Sequence, residues 1–150
     1  VPGLYGYVSA TEWLAELEVT SFDGSGAYSV PKSWASRAPV KTGSRIDTPR
    51  AGRSVPAGPV VVAGVAWAQP RGITAVEVRV DDGPWLPALL GPAPSADTWR
   101  QWTMRWAATP GRHELTVRAT DGDGVVQPTQ RRDTAPDGAT GLHSVEVTVD

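Results

Sequence analysis

The chain of 150 residues contains no cysteine. It can therefore build no disulfide framework, no thiolate metal site and no cysteine nucleophile from its own residues. Long apolar runs are also missing. The longest candidate, Val60 to Ala68, is strand-sized and falls far short of the roughly 20 residues that span a bilayer. Val1-Pro2-Gly3-Leu4-Tyr5 has neither the basic stretch nor the apolar core of a signal peptide. Neither sign of charge dominates: 14 Lys and Arg stand against 16 Asp and Glu. That balance excludes a surface that gathers nucleic acid or anionic lipid by bulk charge, so neither nucleic acid nor membrane is expected as a partner of this segment. What the chain has in quantity is turn formers and tryptophan, with 16 Gly, 14 Pro and 7 Trp. Such a composition favours short aromatic-rich strands joined by turns over helices.

The residues from Arg50 to Pro59 are polar and rich in Gly and Pro, which reads as a connecting segment and divides the chain into residues 1–54 and 55–150. Beyond it the pattern is regular. Val60 to Trp67 is a short apolar run compatible with a strand buried on both faces. Val76, Val78 and Val80 alternate with charged residues, and Asp81-Asp82-Gly83 follows as a hairpin signal. Trp102, Met104 and Trp106 share one parity, as do Leu115, Val117 and Ala119, and then Val145, Val147 and Val149. Strands at this spacing with no helix between them predict an all-β, immunoglobulin-like (E-set) antiparallel sandwich. Its interior should hold Val76, Val78, Val80, Trp102, Leu115, Val117, Val145 and Val147, since a one-residue slip would turn each set outward. The first 50 residues are less regular. Ser9-Ala10-Thr11-Glu12 fits a capping box that would start a helix, but Trp13, Ala15, Leu17 and Val19 alternate in a way that fits a strand better. Pro31, Pro39 and Pro49 keep regular structure short there.

Catalytic constellations are hard to assemble. His113 and His143, the two histidines, read as structural, because two isolated imidazoles give few ways to build a zinc site. Asp121-Gly122-Asp123-Gly124 has the start of a calcium loop without its later ligands, and reads as a tight turn. No G-x-S-x-G elbow and no phosphate loop is present. Trp67, Trp85, Trp99, Trp102 and Trp106 crowd into forty residues. Trp102 and Trp106 fit the core, while Trp99, of opposite parity, is left with Gln101 and Arg105 on a surface. Trp and Arg on an exposed strand face are anchors of protein interfaces, which makes Trp67, Trp99, Gln101 and Arg105 the interface candidates. A secreted carbohydrate-binding sandwich that uses exposed Trp is the alternative.

Particular residues carry a resemblance beyond periodicity. Gly64-Val65-Ala66-Trp67-Ala68, Arg71 through Trp85, Trp99-Arg100-Gln101-Trp102, Thr109 through His113, Arg118 through Asp121 and Gly138 through Val145 resemble, in order, the dimerisation domain of the sulfite oxidase family of molybdopterin-dependent oxidoreductases. Val1 through Leu14 and Pro39 through Asp47 resemble the end of the family's molybdenum-cofactor domain. The resemblance implies that residues 1–54 are an irregular remnant of a larger α+β cofactor domain and that residues 55–150 hold two subunits together as a homodimer. The upstream catalytic domain of the same protein would be a further partner. It also implies a parent oxidoreductase carrying molybdenum-molybdopterin, extracytoplasmic or membrane-attached as bacterial relatives often are. This chain alone is expected to be non-catalytic and to hold no cofactor. Glu12 stands where relatives commonly place a lysine, and its charge opposes a phosphate. Ser9 and Thr11 are then the remaining cofactor-edge candidates. Arg131 and Arg132 lie in the loop from which an arginine of animal members reaches the substrate pocket, but their spacing to His143 differs.

Overall fold

The computed structural model describes Ala15, Ala35 and residues 39–150. The readings at Ser9, Thr11 and Glu12, and the helix-or-strand alternation from Trp13 to Val19, lie outside the described residues apart from Ala15. Nine strands follow: β1 Gly43–Thr48, β2 Ser54–Val55, β3 Gly58–Trp67, β4 Ile73–Val80, β5 Trp85–Pro87, β6 Leu89–Leu90, β7 Arg100–Ala108, β8 Gly111–Asp121 and β9 His143–Val149. They form two packed sheets. Sheet A has the order β1-β3-β7-β6 and sheet B the order β2-β9-β8-β4-β5. Among the described residues no helix is long and apolar enough to cross a membrane.

The alternation read from sequence fixes the register. Val76, Val78, Trp102, Leu115, Val117, Val145 and Val147 are buried between the sheets, with Val80 packed at the core's margin. Met104, Trp106, Ala119 and Val149 complete the same faces. Glu77, Arg79 and Arg118 lie on the opposite, outer side of sheet B, consistent with the strand period of two. The Asp81-Asp82-Gly83 turn joins β4 to β5, which pair antiparallel, and Asp81 takes a positive φ of 51°.

Three features differ from the sequence reading. First, β3 is buried on one face only: Val62, Gly64 and Ala66 point inward, while Val61 is 52% exposed. The run is apolar throughout because its outer face is apolar too. Second, the sandwich reaches upstream of residue 55. Strand β1 pairs with β3 and forms the edge of sheet A. Third, the sheets are not wholly antiparallel, since β2 runs parallel to β9: after β1 the chain crosses to the other sheet and lies beside its last strand.

Gly64 explains how β1, β3 and Trp102 come together. It pairs with Ile46 on one side and Trp102 on the other. A Cβ there would strike the Arg45 carbonyl and fall 2.9 Å from Trp102 Cζ2, so the close approach requires glycine.

The segment entering β1 is moored by side chains. Arg71, in the β3–β4 turn, donates to the Val40 carbonyl at 2.9 Å and to Asp121 Oδ2 at 2.9 Å. Thr42 Oγ1 donates to the same Asp121 oxygen at 2.7 Å. Lys41 Nζ reaches Asp137 Oδ1 (3.1 Å) and the Gly138 carbonyl (2.8 Å) in the β8–β9 loop. Inside, Ser44 Oγ donates to the buried Gln127 Oε1 at 2.6 Å.

Candidate interaction face

The outer face of sheet A is built from alternate residues of its strands. Strand β1 contributes Gly43, Arg45 and Asp47. Strand β3 contributes Pro59, Val61, Ala63, Val65 and Trp67. Strand β7 contributes Gln101, Thr103, Arg105 and Ala107, with Leu89 from β6 and Trp99 just before β7. The pairing places Val65 opposite Gln101, Ala63 opposite Thr103, Val61 opposite Arg105 and Leu89 opposite Thr103. Short side chains occupy the middle, and a shallow concavity of ≈ 460 Å³ lies there, lined by Ala63, Val65, Leu89, Gln101 and Thr103 among others. Large apolar groups stand around it: Leu89 is 75% exposed and Trp99 53%.

All four interface candidates from the sequence, Trp67, Trp99, Gln101 and Arg105, lie on this one face. At one end Trp67 and Trp99 stack with ring centroids 5.2 Å apart and planes 29° from parallel. Trp67 closes over Gly43, where a Cβ would fall 2.6 Å from its Cζ2, and the Arg45 guanidinium lies 5.9 Å from the Trp99 ring centre. Arg45 is paired with Asp47 at 2.7 Å, so the rim there is neutral. Arg105 makes no ion pair among the described residues. Val61 and Leu89 belong to the face equally, and sequence reasoning missed them. Val61 was absorbed into an apolar run, and Leu89 sits in a two-residue strand too short to show a period.

The polar residues singled out from sequence take structural places. Asp121 to Gly124 form the turn after β8, closed by Asp121 N–H to the Val125 carbonyl and Gly124 N–H to the Asp121 carbonyl. The Asp121 carboxylate was not foreseen as a buried hub. It is 2% exposed and accepts from Thr42, Arg71 and the N–H groups of Asp123 and Val125. Burial pushes its pKa up, but the Thr42 hydroxyl, Arg71 and the Val125 N–H outweigh burial and hold it below the ordinary 3.8. His113 lies between Asp81 and Thr109. His143 Nδ1 accepts the Ile46 N–H at 3.2 Å. Burial, helped by the Arg45 charge and opposed by Asp47, lowers the His143 pKa. Arg131 and Arg132 are exposed in the β8–β9 loop, where Arg132 bridges to Thr140.

The described residues do not assemble a molybdenum site. The chain has no thiolate, and among the described residues no three His, Asp or Glu side chains converge.

Comparison with known proteins agrees with this architecture. Residues 44–117 match the family described as Bacterial Ig domain, a span that takes in most of β1. No curated protein matches the chain. Among solved structures, it is similar to the sulfane dehydrogenase SoxCD from Paracoccus pantotrophus. The identity is 26% and the TM-score 0.62, over 72% of this chain and 30% of that one. A likeness to the fibronectin(III)-like modules of Clostridium thermocellum CbhA has 24% identity and a TM-score of 0.47, over 74% of this chain and 47% of that one. The chain therefore spans less than a third of the SoxCD chain it overlaps, and its described residues are an immunoglobulin-like β-sandwich.

Proposed function

We propose that this chain is the association module of a larger oxidoreductase of the sulfite oxidase kind, and that it joins two copies through the outer face of sheet A. The parent would carry molybdenum-molybdopterin in a domain to which residues 1–42 contribute. Ser9 and Thr11 would lie at the edge of that cofactor, and the sandwich takes no part in the chemistry. Two lines of support meet here. The ordered sequence resemblance and the overlap with a sulfane dehydrogenase both lead to an oxidoreductase of the sulfite oxidase kind. The observation that carries the association is the face itself, where Val61, Leu89 and Trp99 stand exposed around a concavity of small side chains. An apolar surface rimmed by polar groups is what a soluble chain keeps for a partner.

The association reading takes the Trp pair as an interface anchor and not as a sugar platform, because Trp67 and Trp99 each give one ring plane to the other and Trp67 closes over Gly43. A two-fold interface must be self-complementary, and the paired Arg45 and Asp47 let the rim meet its own copy without like charges opposed.

Sedimentation equilibrium of the whole chain at micromolar concentration tests the reading. A dimer that Thr103→Arg converts to a folded monomer is the expected result. A monomeric wild-type chain, or a dimer indifferent to Thr103→Arg, would overturn it. Retention of the chain on a glycan array, lost with Trp99→Ala, would replace it with the carbohydrate-binding alternative.

A further inference from the structure

His113 lies on β8 with its side chain 14% exposed, and both of its ring nitrogens face acceptors. Nδ1 is 2.8 Å from Asp81 Oδ2 and Nε2 is 2.8 Å from the Thr109 carbonyl oxygen. A carboxylate oxygen and a backbone carbonyl have no proton to give, and a neutral imidazole carries only one N–H. With one proton on the ring, one of the two contacts sets a lone pair against a lone pair. With two protons, both are hydrogen bonds.

The two acceptors belong to different turns. Asp81 opens the β4–β5 turn and is itself fixed, since its N–H donates to the Glu114 carbonyl and its Oδ1 accepts the Glu114 N–H at 2.9 Å. Thr109 lies in the β7–β8 turn, where Gly111 takes a φ of 135° and the ring's Nε2 lies 3.7 Å from where a Gly111 Cβ would be. From β7, Trp106 meets the ring edge-on at 5.2 Å. Asp81 is the charged side chain facing the ring among the described residues. Nearby Arg112 and Glu146 are occupied with each other at 2.7 Å.

We propose that His113 is a proton-operated clasp between the β4–β5 and β7–β8 turns, closed when doubly protonated and open at its Thr109 end when it carries one proton. The Nε2 proton is the one that leaves to solvent, because the bond from Nδ1–H to a carboxylate is charge-assisted and the bond to a neutral carbonyl is weaker. The Asp81 hydrogen bond is the main reason the ring's pKa stands above its ordinary 6.5. Burial opposes the rise, and the Thr109 carbonyl and the Asp81 charge add to it. The clasp's contribution to stability is therefore complete below 6.5 and is lost as pH rises through the elevated value. His143 is wired in the opposite sense. Its Nδ1 must keep a lone pair for the Ile46 N–H, and Arg45 and Asp47 are the charges facing it. Its contribution is complete above 6.5 and is lost as pH falls through its lowered value.

Nitrogen-resolved NMR of the imidazoles in the whole chain, taken as a pH series, tests the clasp. His113 should titrate above 6.5, carrying both N–H protons until then, while His143 titrates below it. The amides of Thr109 and Gly111 should shift with the His113 midpoint. Asp81→Asn should lower the His113 midpoint, and His113→Gln should abolish the pH response of the Thr109 and Gly111 amides. A His113 midpoint at or below 6.5 in the wild-type chain would overturn the proposal. So would a titration that leaves Thr109 and Gly111 unmoved.

Discussion

The two outer faces of the sandwich obey the same strand period but end in opposite conditions. On sheet B the long outward residues of β4, β5 and β8 lie across their own sheet. The guanidinium groups of Arg79 and Arg118 lie 5.1 and 4.3 Å from the ring centre of Trp85, and Arg118 is held to Glu77 at 2.8 Å. The cover is close enough to bury Arg79 Nε without a hydrogen-bond partner. Thr116, on the outer side of β8, is only 4% exposed. On sheet A the middle of the outer face is made of short side chains, Ala63, Val65 and Thr103, which leave an open concavity. A sheet face can be covered by its own side chains or left open, and this protein does one on each side.

The largest effect should come from the mooring of sheet A's edge. Asp121→Ala strips Arg71, Thr42 and the N–H groups of Asp123 and Val125 of their shared acceptor, and each hydrogen bond to a charged group is worth about 1.5–3 kcal/mol. A urea titration should show that loss. It should also show a flatter acid limb in the variant. The native carboxylate, held below 3.8, contributes stability above that pH and loses it as pH falls through the lowered value. Next, Gly64→Ala should cost about 3 kcal/mol by forcing β1 away from β3, read as a lower melting temperature. It should weaken any association as well, since β1 carries part of the face. Trp85→Ala opens the covered side. It should cost about 1–2 kcal/mol through the lost cation–π contacts while leaving sedimentation unchanged. If it impaired association instead, the division of labour between the faces would fail. The smallest effect on folding belongs to Val65→Arg, within about 0.5 kcal/mol. The same substitution should weaken self-association at least about tenfold by sedimentation, a difference of roughly 1.4 kcal/mol.

Much of this was legible in the sequence because the core strands alternate cleanly. Val76 and Val78, Leu115 and Val117, and Val145 and Val147 could face only one way. Strand β1 was not legible, and Ser44 is the reason. It occupies an inward position but is satisfied by the buried Gln127, so Gly43–Thr48 shows a single inward apolar residue, Ile46, and no period. Asp121 was hidden in the same way: an Asp before Gly reads as a turn, and its side-chain partners lie 50 and 79 residues away. The parity of Trp99 did place it outside, yet its stacking on Trp67 depends on how β3 and β7 pair, which no local pattern contains. Composition revealed the tryptophans, and only the sheet revealed which of them share a face.

The mooring of residues 40–46 has a mechanical meaning. A chain tied at Val40, Lys41, Thr42, Ser44 and Ile46 leaves the sandwich from a fixed point, as a bracket leaves a wall and not as a tether. Two sandwiches facing one another across sheet A would present their two Val40 exits at a set separation and in set directions. Whatever each copy carries upstream would then inherit a defined spacing from the sandwich.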